Sequence, residues 1–282
     1  MSEKERYFLV LPCHHQFLES RVPLKPLPLF KDFGTTWVEG NSNLRKDWEK
    51  ACQHLWSAGL SAGILPQPSQ FKAAFFDMDA TVIAQESIDL LARIADVEAE
   101  IVELTKKAME GKIEFDEALE HRVRLLNGLT LGKIEQVKEQ LTVNPGIRDL
   151  TGMMKAQGWE TFLISGGFTH LADHIAKDLK FDGVRANQLE TLNGKLSGRI
   201  VGKIINGMAK QRFAQEICQK KNWTRDQVLA IGDGANDRHL MEFVNISLGF
   251  HPKPVLFPYL NLANFTGDHK LFHSIFHRWL EL

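Results

Sequence analysis

From about residue 70 onward the hydrophobic positions follow a repeating rhythm. A short apolar run ends in a small or acidic residue, and a stretch with apolar positions three or four apart follows it. The runs are Phe71–Phe76, Glu160–Ile164, Val228–Ile231 and, more weakly, Ile246–Leu248. Runs of this kind suit strands buried on both faces, and their alternation with helical patterns predicts a parallel sheet flanked by helices. The expected class is therefore α/β, with a doubly wound core whose ligands bind at the carboxyl ends of the strands.

One connection departs from the rhythm. The stretch between Asp77 and Ser165 is far longer than the roughly 30 residues of a βαβ unit. Its excess, Glu86 to Leu141, carries helical spacing: Ile101, Thr105, Ala108 and Met109, then Phe115, Leu119, Val123 and Leu126. This predicts a helical cap inserted after the first core strand, with Asn144-Pro145-Gly146 marking the return. Before the core, a strand is expected over Tyr7–Leu11, a Pro-rich stretch over Val22–Leu29 and a helix from about Asn43. Pro66 and Pro68 suggest that Leu65–Gln70 is a linker. The expected organisation is an N-terminal segment or small α/β module of unknown role (1–70), a core (71–85 and 145–282) and a cap (86–144).

Composition narrows the picture. Of 282 residues, 44% are hydrophobic and 24% charged, enough to bury a large core, and the formal net charge is −1. No basic excess or run points to nucleic acid or an anionic membrane as partner. No apolar stretch approaches transmembrane length, and the first residues lack the apolar region of a signal peptide. Cys13, Cys52 and Cys218 have no CxxC spacing and read as free thiols of a reducing compartment, so a cytoplasmic location is expected.

Candidate chemistry sits where the apolar runs end. Phe75-Phe76-Asp77-Met78-Asp79-Ala80-Thr81 places two carboxylates at i and i+2 of a strand end, where both can face one site. Such a pair can divide labour, one attacking phosphorus and the other moving a proton to the leaving alcohol and later from water. Ser165-Gly166-Gly167 offers a hydroxyl and accessible backbone N–H groups for an anion. In Gly232-Asp233-Gly234-Ala235-Asn236-Asp237, an acidic residue can supply oxygen to Mg²⁺, Asn236 can bond phosphate and Asp237 can hold the metal's waters. Lys210 can pair with phosphoryl oxygens. Each motif alone also reads as ordinary structure: two solvated aspartates, a strand–helix junction, a turn capping a helix, a surface lysine. Their occurrence together and in order favours one site.

These motifs resemble the haloacid dehalogenase superfamily of phosphohydrolases and, within it, the phosphoserine phosphatase family. The likeness covers roughly residues 72–250. It includes Asp77, Asp79 and Thr81, then Glu86-Ser87-Ile88-Asp89, Met109-Glu110-Gly111-Lys112 with Phe115, and Arg122 to Leu126. Ser165-Gly166-Gly167-Phe168, the hairpin-like stretch Asn187–Gly202 with its Asn193-Gly194 turn, and Gly232–Asp237 complete it. The resemblance implies conversion of O-phospho-L-serine to L-serine and phosphate with Mg²⁺. Asp77 would be the nucleophile. Asp79 would be general acid/base and would lend its backbone carbonyl to the metal. Asp233 would complete the metal's protein ligands, with Asp237 behind them. Ser165, Gly166, Lys210 and Asn236 would hold the phosphoryl group. Glu86 and Arg122 would grip the amino and carboxylate groups of serine, with Met109 and Phe115 packed around the substrate. A small-molecule substrate and a monomer or homodimer follow. Two alternatives are a phosphatase for another small monoester and a silent sensor of a phospho-metabolite.

Departures from the family pattern are Ala80 where Ser is commoner, Ala118 where the cap often has Ser, and Phe250-His251-Pro252-Lys253-Pro254, which keeps part of the usual pattern. His269, His273 and His277 recur every four residues. They read as a half-exposed helix face, with zinc binding as the alternative. Trp223 and Phe213 read as helix packing.

Overall fold

The computed structural model describes residues 6–12, 35–109 and 112–281. Cys13, the stretch Val22–Leu29 and Glu110-Gly111 lie outside the described residues. The strands are β1 (Arg6–Pro12), β2 (Thr35–Asn41), β3 (Ala62–Pro66), β4 (Ala73–Phe76), β5 (Glu160–Phe168), β6 (Gly183–Leu192), β7 (Lys195–Val201), β8 (Val228–Gly232), β9 (Ile246–Phe250) and β10 (Leu262–Asn264). They form one sheet in the order β2-β1-β3-β10-β9-β8-β4-β5-β6-β7. Pairing is parallel from β10 through β6 and antiparallel outside that block. Central β4 and β8 are buried along their whole length, as their continuous apolar runs require.

The register of the centre positions the site. β4 lies between β5 and β8, with Phe76 paired to both Leu163 and Ile231. The next residues, Asp77, Ile164 and Gly232, therefore reach the same edge of the sheet, at a point where the chain leaves β4 toward neighbours on both sides.

The inserted cap comprises α2 (Ser87–Ile94), α3 (Glu98–Met109), α4 (Phe115–Leu125) and α5 (Leu131–Lys138). Its two connections to the core meet at an Ile83–Val143 bridge. The cap also docks on the β6–β7 hairpin: the backbone N–H groups of Gly128 and Leu131 donate to Leu196 and Gly194, and that of Leu196 donates to Leu129. The core helices are α6 (Ile147–Ala156), α7 (Thr169–Leu179), α8 (Gly207–Lys221), α9 (Arg238–Phe243) and α10 (Lys270–Trp279), while α1 (Ser42–Ser57) covers the N-terminal strands. Among the described residues no helix is long and apolar enough to cross a membrane.

The N-terminal segment differs from its sequence reading. Leu65 and Pro66, read as the start of a linker, belong to β3, and Leu65 is fully buried. β3 pairs with β10, so β1, β2 and β3 extend the core sheet instead of forming a sheet of their own. Phe8, Val10, Trp37 and Leu65 lie in the same apolar cluster as Phe76 and Leu248, and Trp279 Nε1 donates to the carbonyl of Pro66 at 2.7 Å. The histidine face is also corrected in part. His277 is exposed, but His269 is fully buried, stacked on Phe250 at 3.9 Å.

Candidate active site

Asp77 leaves the end of β4 in extended conformation, its N–H bonded to Ile231 O at 2.9 Å. The chain then makes a tight turn over Met78–Val82, in which Ala80 adopts the left-handed region (φ 53°). For a residue with a Cβ this costs about 1–3 kcal/mol, sustained here by the surrounding bonds. The turn brings Asp79 back toward α2. Asp77 Oδ1 accepts from Met78 N and from Lys210 Nζ, both at 2.7 Å. Oδ2 receives no hydrogen bond from a described residue.

Lys210 reaches the site from α8, whose first turn is capped by the Asn206 side chain. It is fully buried, and Nζ also bonds Asp237 Oδ1 at 2.7 Å. Two carboxylates offset the cost of burying one ammonium and hold its pKa above the usual lysine value against that burial. The other oxygen of Asp237 accepts from the N–H groups of Asp233 and Gly234. Gly232 is obligatory in this turn, since a Cβ there would lie 2.4 Å from Asp237 Oδ2.

Asp77, Asp233 and Asp237 are buried, and each offers a carboxylate oxygen within 4.8 Å of the others. Burial, followed by the charge of Asp237, pushes the Asp77 carboxyl well above the carboxylate range despite Lys210. Burial and Asp237 likewise raise Asp233 to about 6, with Lys253 opposing. Three ionised carboxylates exceed the two lysines by one negative charge, and all the donors are oxygen. The residues therefore fit a hard metal cation, which would return these carboxylates to their charged form.

Asp79 belongs to a different cluster. Oδ1 accepts from Ser87 N at 2.9 Å, and Oδ2 accepts from Ser87 Oγ at 3.1 Å and Ser165 Oγ at 3.4 Å. Burial first, then the nearby charge of Glu86, raises its pKa to about 7. A carboxyl with that value can take up or release a proton near neutral pH. Gly167 leaves room for this cluster, because a Cβ there would meet Ser87 Oγ at 2.6 Å and Asp79 Oδ2 at 2.9 Å.

Above the acidic edge lies a cleft of about 520 Å³, including its open mouth. Asp77, Asp79, Asp233, Asn236 and Gly166 line it from the core, and Glu86, Phe115 and Arg122 line it from the cap side. Glu86 is exposed at its rim. Arg122 is largely buried; burial lowers its pKa, opposed by Asp89 and Glu86, and its Nε donates to Ala118 O. Asn206 Nδ2 bonds both oxygens of cap residue Asp116 at 3.1 Å, so the cap rests on the helix that carries Lys210.

Among the sequence candidates, Ser165, Lys210 and Asp237 stand behind the cleft wall: Ser165 Oγ is turned to Asp79 and Gly167 N, while Lys210 and Asp237 bond each other. Met109 ends α3, and its side chain lies outside the described residues. Sequence reasoning named Lys253, Ser87 and Leu119 without giving them a role at the site, and passed over Asp116. Lys253 had the signal of an apolar strand ending close by, as at the other motifs. The contacts of Asp116 are set by packing alone.

Residues 74–242 match the family model of the haloacid dehalogenase-like hydrolases. A phosphoserine phosphatase of Archaeoglobus fulgidus is 41% identical over 181 residues, 64% of this chain and 53% of its own length, so the chain spans about half of that relative. A solved phosphoserine phosphatase carrying a phospho-aspartyl intermediate analogue superposes with a TM-score of 0.69 at 31% identity, covering 73% of this chain and 99% of that one. A haloacid dehalogenase family hydrolase of Salmonella enterica serovar Typhi has a TM-score of 0.85 at 22% identity, over 96% of this chain and 97% of that chain, a likeness of fold that includes the N-terminal strands. With more than half its length matched by the family model, and with phosphoserine phosphatases among its relatives, this chain belongs to the haloacid dehalogenase-like hydrolases.

Proposed function

We propose that the protein hydrolyses O-phospho-L-serine to L-serine and phosphate through a phosphoaspartyl intermediate on Asp77, with Mg²⁺ held by Asp77, Asp233 and the backbone carbonyl of Asp79, and Asp237 behind them. The observation that carries this reading is the separation of two carboxylates two residues apart. Asp77 is fixed through one oxygen, while the other receives no hydrogen bond from a described residue, and burial and the charge of Glu86 raise the Asp79 pKa to about 7 against the hydrogen bonds from Ser87.

Bound Mg²⁺ would neutralise charge between the carboxylate and the phosphoryl oxygens. Lys210 holds Asp77 in place and supplies positive charge behind it. Asp77 Oδ2 attacks phosphorus, the P–Oγ bond of the substrate breaks, and the Asp79 proton passes to serine Oγ. Asp79, now a carboxylate, takes a proton from water as the water oxygen attacks the phosphorus. The bond between phosphorus and Asp77 breaks, phosphate leaves, and Asp79 is again protonated. Gly166 N–H and Asn236 hold the phosphoryl group, with Ser165 buttressing Asp79 and the Gly167 turn. Glu86 pairs with the substrate ammonium and Arg122 with its carboxylate. Phe115 and Leu119 exclude water.

The test is steady-state hydrolysis of L-phosphoserine beside a panel of small phosphate monoesters. Phosphoserine should give the highest kcat/KM, chelation should abolish turnover, and Asp77→Asn should be inactive. Glu86→Ala or Arg122→Ala should lower kcat/KM for phosphoserine by roughly 10–100-fold, the loss expected for a charged hydrogen bond, with little change on p-nitrophenyl phosphate. Equal losses on both substrates, or a preference for another monoester, would overturn the assignment.

A further inference from the structure

The loop after β9 places a second lysine at the acidic edge with a fixed root and a half-exposed side chain. The root is held by Lys253 N–H, which donates to Asp233 O at 2.8 Å. Behind it, Pro252 packs so tightly on Gly249 that a Cβ there would come within 2.6 Å of the proline ring. Pro254 follows at the start of a short 3-10 turn, so the backbone on both sides of Lys253 is constrained. The side chain is half-exposed, lines the cleft and ends 3.2 Å from Asp233 Oδ2.

Lys210 is committed to Asp77 and Asp237 at 2.7 Å each. Among the described residues, Lys253 is the other cation paired with the cluster, and its partner is one of the three carboxylates that can hold a metal. An ammonium and a divalent cation drawing on the same carboxylate compete for its charge. An exposed lysine loses little on leaving such a pair and has a flexible stem with which to do so. The phosphate group of a bound substrate or product in the cleft then offers it an anionic partner, beside Glu86, whose charge also favours the ammonium there.

We propose that Lys253 is an exchange arm that couples the two ligands of the site: it opposes the divalent cation at Asp233 and, once displaced, pairs with phosphate in the cleft. The inference rests on the metal reading above and is independent of which alcohol the phosphate ester carries. It predicts opposite effects of one substitution. Removing the ammonium should tighten the metal and loosen the anion.

The experiment titrates Mn²⁺ into the protein without substrate, reading free Mn²⁺ by electron paramagnetic resonance, and then titrates inorganic phosphate into the metal-loaded protein by calorimetry. Lys253→Gln should bind Mn²⁺ roughly two- to fivefold more tightly, the scale of an exposed ion pair, and phosphate several-fold more weakly. Lys253→Arg, which keeps the charge, should return both constants toward wild type. Unchanged or weaker Mn²⁺ binding in Lys253→Gln, or unchanged phosphate binding, would overturn the inference. A wild-type protein that binds no Mn²⁺ would instead overturn the metal reading itself.

Discussion

At the scale of single residues, Asp77 and Asp79 differ by surroundings and not by type. One carboxylate is tied to an ammonium, and the other is tied to two hydroxyls and a backbone N–H. With its pKa near 7, Asp79 carries its proton below neutrality and loses it above. The rate of phosphoenzyme formation from phosphoserine, measured by rapid acid quench, should therefore fall as pH rises through about 7. With p-nitrophenyl phosphate, whose phenolate leaves without a proton, that fall should be much weaker. Identical alkaline limbs would remove Asp79 as the donor. The same shift has a stability sign. The native state binds this proton more tightly than the unfolded chain, so the contribution of Asp79 declines as pH rises from about 4 to about 7.

At the scale of elements, the start of α10 secures both chain passages between core and cap. His269 Nε2 donates to Thr81 O at 2.9 Å, and its backbone N–H donates to Pro145 O at 2.8 Å. Asn144 Nδ2 donates to the same Thr81 carbonyl. Gly146, at φ 74°, allows the approach, since a Cβ there would collide with Asp268 and Lys270. Burial lowers the His269 pKa to about 4, so the unfolded chain gains a proton in acid before the native state does. The stabilisation from neutral His269 is complete above about pH 6.5 and is lost as pH falls toward 4. In chemical denaturation, the stability advantage of wild type over His269→Phe should shrink across that window. A constant difference would contradict the burial argument.

At the scale of the whole molecule, the ten strands among the described residues share one sheet, and the N-terminal three cover the side of β10 that faces away from β9. Trp48 and Trp56 of α1 pack with Leu9 and Phe257, so the N-terminal and C-terminal parts of the chain share apolar cores. A chain beginning at residue 67 would leave the β10 edge unpaired and would uncover Phe257 and Ala263, on which the deleted Leu9, Trp48 and Trp56 pack. It should aggregate or melt well below the full chain in a thermal unfolding experiment. A truncated chain with an unchanged melting temperature would show that the segment is an appendage.

The amino-acid order by itself determined the central strands, the presence of the cap and the acidic and glycine-rich strand ends, because each is written in local apolar spacing and turn chemistry. Legible in it were Asp77, Asp79 and Asp233, and also Lys210 through its place between two motifs. Tertiary structure alone decided that β3 pairs with β10 and that Leu65 is core. It also decided that His269 is a buried tether and that Lys253 reaches Asp233. Those outcomes depend on which distant segments meet: strand pairing and burial are set by partners remote in the chain, and no local pattern of residues encodes the partner's position.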